Sequence, residues 1–209
     1  MKKSYEYTLL RLLRMGLCPI AIKRQSKEPL HKWKDETIAL ATLLKYNTDR
    51  FGLRMGDQDL QCLDIDSKNH DDPEGMLKQF FSMLKKQVFD FSNVIVQETI
   101  NKGAHIIYRA DTLKKSVKIS RKRSGETLIE TRGQGAYIVM WEPEKFNNID
   151  RLTTISPEME KMLLNTAKAF DESISKSDNV FTQFNETTSC VDLLVRYGWS
   201  VVGDSDDRW

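Results

Sequence analysis

Four strand-like segments follow one another in the middle of the chain and restrict its fold more than any other feature. They are NVIVQET (93–99), AHIIYRA (104–110), ETLIETR (126–132) and AYIVMW (136–141). A hairpin-type connection over 100–103 joins the first two, and a tight glycine-flanked connection over 133–135 joins the last two. The run therefore favours antiparallel pairing.

Helices and strands alternate before this run. Apolar spacing predicts a helix that ends near Gly16, a strand over 18–23 and a short helix over 37–46. Two strands over 51–56 and 60–66 follow, joined by the acidic turn 57–59, and then a helix over 71–89. After the run of four strands, the spacing predicts a helix over 157–171. Elements that alternate first, followed by strands that run together, predict an α+β domain with a largely antiparallel sheet.

The length of 209 residues allows one main domain, since an average domain has roughly 150 residues. We assign this domain to residues 1–171. Residues 172–187 lose apolar periodicity and are interpreted as a linker. Residues 188–209 contain a helix-like segment, which we interpret as the start of a further C-terminal element of a longer chain.

Charge and cysteine content exclude several classes of protein. The 32 Lys and Arg residues nearly balance the 30 Asp and Glu residues, so the chain is not a uniformly basic, histone-like protein. No apolar run approaches the ~20 residues that span a bilayer, and no membrane partner is expected. Cys18, Cys62 and Cys190 form no CxxC motif, which favours reduced thiols and a cytoplasmic location.

The segment CLDID (62–66) is the strongest local signal for chemistry. Alternation along a strand places Asp64 and Asp66 on one face, where their charges repel unless a cation lies between them. Carboxylate oxygens of this kind suit Mg²⁺ or Mn²⁺. The alternative interpretation is a solvated strand end.

Two further polar positions lie on predicted strands. His105 follows the small residues Gly103 and Ala104, which leave room for a polyanion near the backbone; the alternative is a capping or half-buried histidine. Glu130 lies in an apolar strand, where a buried carboxylate needs a metal, an arginine or solvent; a surface-facing glutamate is the alternative. A carboxylate pair, a histidine and a third carboxylate together suit phosphoryl transfer.

A concentrated basic run precedes the third strand of the series. Its cations are Lys114, Lys115, Lys118, Arg121, Lys122 and Arg123, against the single acid Asp111. Such a run suits a phosphate backbone and is a candidate DNA-binding segment. A solvated lysine-rich hairpin is the alternative.

The sequence resembles the primase–polymerase branch of the archaeo-eukaryotic primase superfamily, which is found in phage and plasmid replication proteins. The superfamily motifs hhhDhD, small-x-His and hydrophobic-acidic correspond to CLDID (62–66), GAH (103–105) and Ile129-Glu130. The flanking segments CPIAIKRQSKEPLHKW, FGLRMG, KGAHIIYR and ETRGQGAYIV are also similar to this branch. The resemblance covers about residues 16–142.

The resemblance implies an N-terminal α/β module packed on an RRM-like module, with the active site in the cleft between them. It implies DNA-dependent primer synthesis and extension with two divalent ions, Mg²⁺ or Mn²⁺. The implied catalytic residues are Asp64, Asp66 and Glu130, which hold the metals, and His105, which binds the incoming triphosphate. By position, Lys102, Gly103 and Arg132 are further nucleotide-binding candidates.

The implied partners are a single-stranded DNA template, NTPs or dNTPs, and a helicase module in the longer chain. The implied location is the cytoplasm of a bacterial host or phage-infected cell. Two other functions stay open from the residues alone. A metal-dependent nuclease uses the same carboxylates, and a non-catalytic module binds single-stranded or origin DNA. Release of pyrophosphate distinguishes a polymerase from both.

Overall fold

The strands of the protein form two antiparallel sheets in the computed structural model, which describes residues 3–34, 36, 38–46, 48–111 and 115–173. The strands are β1 (Pro19–Ile22), β2 (Arg50–Arg54), β3 (Leu60–Ile65), β4 (Ile95–Glu98), β5 (Ala104–Arg109), β6 (Lys118–Arg121), β7 (Thr127–Arg132) and β8 (Tyr137–Met140). The helices are α1 (Lys3–Arg14), α2 (Leu40–Leu43), α3 (Pro73–Lys86) and α4 (Pro157–Lys168). The predicted α+β class with antiparallel sheets is confirmed.

The larger sheet has the strand order β4-β5-β3-β7-β6. The strands β3 and β4 are joined through α3, and β5 lies between them. The first four strands of the sheet, β4-β5-β3-β7, therefore have the order of an RRM-like sheet. The central strand β3 is almost wholly buried, as expected for a strand paired on both sides and covered on both faces. The lysine-containing strand β6 forms one edge.

The smaller sheet has the order β1-β2-β8. The two strands joined by the acidic turn 57–59 therefore lie in different sheets, as do the two strands joined through 133–135. Left-handed backbone at Gly56, Gln58 and Gly135 redirects the chain at these two crossings. The sequence patterns located all four of these strands correctly. Neither pair forms a hairpin, although the connection within each pair is short.

Two apolar layers enclose the larger sheet. One layer, which includes Phe80, Ile106 and Leu163, fills the space between this sheet and α3 and α4. The other, which includes Leu9 and Phe51, lies between α1, the smaller sheet and the opposite face of the larger sheet. Side-chain caps fix the helix starts at the layer edge, since Asp72 accepts from Gly75 N–H and Ser156 accepts from Met159 N–H.

Several elements differ from the sequence-based expectation. The helix expected over 37–46 is reduced to Leu40–Leu43, and a 3-10 segment, Pro143–Arg151, follows β8. The strand β6 was not predicted, because only one of its four residues, Ile119, is a strong strand former, and a lysine and an arginine stand at its ends. Nearly all of the predicted linker and the C-terminal element lie outside the described residues. None of the described helices is long and apolar enough to cross a bilayer.

Candidate active site

A row of polar side chains crosses the larger sheet on the face that is turned toward the smaller sheet. Asp64 on β3 lies directly opposite His105 on β5 and directly opposite Glu130 on β7. The row continues to Gln97 on β4 and to Lys118 on β6. Because opposite residues in antiparallel strands share a face, three of the predicted site residues are brought together by strand register.

Asp64 is nearly buried and has a cationic or donor group on each side. Its Oδ1 lies 3.4 Å from Nε2 of His105, and its Oδ2 lies 3.1 Å from Nε of Arg132. Burial alone raises the pKa of this carboxyl, but the hydrogen bonds and charges of His105 and Arg132 outweigh burial and lower the pKa to about 2. Asp64 is therefore an anion at neutral pH.

Glu130 shares the same arginine. Nη2 of Arg132 lies 2.6 Å from Oε1 of Glu130, so one guanidinium bridges two carboxylates. Burial raises the pKa of Glu130, and the neighbouring Asp64 adds to this effect while Arg132 opposes it. Of the three partners that the sequence left open for Glu130, the structure contains the arginine.

Asp66 lies apart from this arrangement of contacts. The strand ends at Ile65, and Asp66 has φ −95° and ψ 66°, so strand alternation does not fix its side chain beside Asp64. Its Oδ2 lies 3.3 Å from Nζ of Lys68. It still belongs to the electrostatics of the site, because its charge contributes to the raised pKa of Glu130.

His105 is buried and held from both sides of its ring. Nε2 faces Asp64, and Nδ1 lies 2.7 Å from the side-chain nitrogen of Gln97. Gln97 is fully buried and also contacts the backbone of β8. Sequence reasoning did not select Gln97, because an isolated glutamine in an apolar strand carries no motif.

A cleft of about 360 Å³ opens over Asp64, His105 and Arg132. Its opposite wall comes from β8 and from the loop after β1, through the side chains of Lys27, Trp33, Lys34, Tyr137 and Trp141, among others. The rings of Trp33 and Tyr137 meet edge to face at 4.9 Å. The sequence did contain a signal for this wall, the family-like segment CPIAIKRQSKEPLHKW with Lys27 and Trp33. Sequence reasoning did not choose the lysines of this segment as site residues.

Arg54 fixes the loop that carries Trp33 and Lys34. Its guanidinium pairs with Asp57 at 2.9 Å and donates to the carbonyl oxygens of Trp33 and Lys34. The cleft wall is thus tied to β2 rather than being a free loop.

Two predicted nucleotide-binding residues lie elsewhere. Lys102 is not among the residues that line the cleft, and its Nζ lies 3.3 Å from Glu74 on α3. Gly103 is required by packing, since a Cβ there would lie 2.2 Å from the carbonyl oxygen of Ile65. Gly103 therefore allows the chain to approach the end of β3 closely, and this contact accounts for the glycine without a phosphate.

The basic run forms the β6–β7 hairpin and the segment before it. Lys115, Lys118, Arg121 and Arg123 are exposed, and Lys122 is half-buried with its Nζ bonded to Asp71; Lys114 lies outside the described residues. Lys118 faces Glu130 at the end of the polar row. The hairpin that was the alternative interpretation is present, and it carries its cations up to the edge of the site.

The donor set suits a divalent ion of the magnesium type. Asp64 and Glu130 supply oxygen ligands from adjacent strands, and Mg²⁺ is commonly held by one or two carboxylates together with substrate phosphates. In the described part of the chain, no three His, Cys, Asp or Glu side chains gather closely enough to hold an ion by themselves. Arg132 occupies the position between the two carboxylates.

The acidic row and its histidine lie at a cleft of an α+β fold, and a comparison with protein families assigns such a chain to the DNA primase and polymerase class. The sequence profile of the Prim-Pol family, described as "Bifunctional DNA primase/polymerase, N-terminal", matches residues 9–155. The chain belongs to the Prim-Pol family, which confirms the resemblance noted in the sequence. The match spans all the strands described above. A search of curated proteins gave no match.

Proposed function

We propose that this domain is a nucleotidyltransferase that synthesises primers on single-stranded DNA and extends them, in the replication of a phage, plasmid or other mobile element. The observation that carries the proposal is the register of His105, Asp64 and Glu130 on three adjacent strands, beside a cleft that Asp64 and His105 line together with lysines and aromatic rings. Acidic oxygens on one side and cations on the other suit a metal-bound triphosphate.

Asp64 and Glu130 are the proposed metal-holding residues, with Asp66 as a third carboxylate at the strand end. When bound by these residues, divalent ions would supply a lower pKa for a primer 3′-hydroxyl and stabilisation of the charge on the α-phosphate as pyrophosphate leaves. The low pKa of Asp64 keeps this residue ionised as a ligand at neutral pH. Two ions and this set of three ligands are what the family resemblance implies.

The triphosphate is assigned to the cations and donors that line the cleft. His105 presents Nε2 toward Asp64, and Arg132 presents its guanidinium between the carboxylates. Lys27 and Lys34 approach from the other wall, and Trp33 offers an aromatic surface to a base. Arg132 remains a nucleotide-binding candidate on this geometry, whereas the proposal makes no use of Lys102 and Gly103, which are not among the residues that line the cleft.

The template is assigned to the β6–β7 hairpin and the segment before it. Exposed cations at Lys115, Lys118 and Arg123 suit contacts to a phosphate backbone. Lys118 opposes Glu130, so a strand that follows these cations reaches the end of the polar row.

The test is incubation of the protein with a single-stranded DNA template, labelled NTPs or dNTPs and Mn²⁺ or Mg²⁺, with and without a primer. We expect labelled products longer than the added nucleotide and one pyrophosphate released per incorporation. Shortening of the template without pyrophosphate release would indicate a nuclease. Template binding with neither reaction would indicate a non-catalytic DNA-binding module.

A further inference from the structure

Gln97 makes three hydrogen bonds inside the protein and is fully buried. Its Nε2 donates to the carbonyl oxygen of Val139 at 2.8 Å and lies 2.7 Å from Nδ1 of His105. Its Oε1 accepts from the backbone N–H of Trp141 at 3.0 Å. Gln97 thereby connects β4 to β8 and to the histidine of the site.

The two backbone contacts determine which way the amide points. A carbonyl oxygen only accepts and a backbone N–H only donates, so Val139 requires the amide nitrogen and Trp141 requires the amide oxygen. Rotating the amide by half a turn would place like groups against each other at both positions. The amide nitrogen therefore faces His105.

This orientation determines the protonation of the imidazole. The amide nitrogen is a donor, so Nδ1 of His105 has to be the acceptor and carries no proton. The neutral ring then has its proton on Nε2, which faces Oδ1 of Asp64 at 3.4 Å. Nε2 is also the ring atom that is directed at the row of carboxylates.

We propose that Gln97 is a positioning residue that holds His105 in the Nε2–H form, with the donor directed at the site; the catalytic consequence rests on the proposed function. Val139 and Trp141 both line the cleft, so the same glutamine ties the ring to the opposite cleft wall. His105 acts on the triphosphate, and Gln97 acts only through His105.

The first experiment reads the proton position directly by ¹⁵N–¹H correlation spectra of the imidazole rings at about pH 8, above the ordinary pKa of histidine. The chain has three histidines, so the His105 signal is assigned by its loss in His105→Gln. We expect unprotonated Nδ1 and protonated Nε2 in the wild type. In Gln97→Glu the carboxylate can only accept, so Nδ1 should gain a proton. A wild-type Nδ1 that already carries the proton, or an Nδ1 that stays unprotonated in Gln97→Glu, would overturn the proposal.

The second experiment compares Gln97→Met with Gln61→Met. Both glutamines are fully buried on the same sheet, but Gln61 lies an odd number of residues from Asp64 along β3 and so faces the other side. We expect about a 10-fold higher nucleotide KM in Gln97→Met with little change in kcat, and wild-type values in Gln61→Met. Equal effects of the two changes would show that Gln97 acts only through core packing and would overturn its positioning role.

The two experiments distinguish a failure of the proposed function from a failure of the positioning role of Gln97. The spectra need neither metal, nucleotide nor polymerase activity, and the wild-type spectrum depends on a variant only for the assignment of the His105 signal. If the expected proton positions are found in a protein that incorporates no nucleotide, the proposed function fails while the Gln97–His105 contact stands. If the protein incorporates nucleotide and Nδ1 is protonated, the role of Gln97 fails alone.

Discussion

Nε of Arg132 lies 3.1 Å from Oδ2 of Asp64, which places a guanidinium against a carboxylate at the centre of the polar row. The same guanidinium reaches Glu130 through Nη2 at 2.6 Å. One cation thus bridges two carboxylates. A divalent ion at these oxygens, as we propose, would compete with the arginine, which would then be free to contact substrate phosphate.

Arg132→Gln should tighten metal binding in the absence of nucleotide. Removal of a charge within about 4–6 Å shifts ionic equilibria by about 1–3 logarithmic units, so we expect Mn²⁺ to bind about 10-fold tighter or more. Calorimetric titration with Mn²⁺ measures the change. Arg109→Gln is the control, because that guanidinium bonds to the carbonyl oxygen of Gln58. Weaker Mn²⁺ binding in Arg132→Gln would contradict the competition.

The stability of the metal-free protein should fall in acid through Asp64. The folded-state pKa of about 2 lies below the ordinary value of 3.8, so the carboxylate stabilises the fold above about pH 4 and loses this contribution as the pH falls toward 2. The shift corresponds to about 2 kcal/mol. Urea unfolding of the wild type and Asp64→Asn between about pH 2 and pH 5 should give a stability difference that grows with pH. A difference that is independent of pH would show that Asp64 is not held as an ion.

Loss of the cleft lysines should weaken nucleotide binding, whereas loss of Lys102 should not. Lys27 and Lys34 line the cleft, and a charge-assisted contact to phosphate predicts about a 10-fold rise in nucleotide KM for Lys27→Ala or Lys34→Ala. Lys102→Ala is the matched control, since its Nζ pairs with Glu74 outside the cleft. A rise in KM for Lys102→Ala alone would restore the original assignment from the sequence.

Removal of two exposed cations near the β6–β7 hairpin should lower the salt dependence of DNA binding. For the double change Lys115→Gln and Arg123→Gln, we expect the slope of log K against log salt to fall by about 1.4, at about 0.7 for each phosphate contact on a single strand. Fluorescence anisotropy of a labelled oligonucleotide at several salt concentrations gives the slope. The control is Lys161→Gln with Lys168→Gln, two exposed lysines on α4. Identical slopes in both double variants would favour the alternative interpretation, in which the hairpin is a solvated surface that does not contact DNA.

The sequence was sufficient to locate Asp64, His105 and Glu130, because each has a motif of its own on a strand with clear apolar alternation. It was not sufficient to align them. Strand register depends on pairing between distant segments, and only the folded sheet places His105 and Glu130 directly opposite Asp64 on its two sides.

Other features escaped sequence reasoning for similar physical reasons. A buried strand has the same local pattern in either sheet, so the division of β2 from β3 and of β7 from β8 could not be read from the chain. Gly103 fits two explanations in the sequence, phosphate access and close strand packing, and only the folded structure shows the contact with Ile65 that packing requires. Gln97 gains its role only from partners on two other strands.

Nucleotide incorporation by the wild type and by Asp64→Asn, on a single-stranded template with Mn²⁺, tests the central claim most directly. Asparagine keeps the shape of the side chain but removes the charge that a divalent ion needs. The account predicts template-dependent incorporation with pyrophosphate release by the wild type, and a loss of about 10³-fold or more in Asp64→Asn, whose circular dichroism spectrum stays that of the folded protein. Incorporation by a folded Asp64→Asn at the wild-type rate would contradict the assignment of this cleft as the active site.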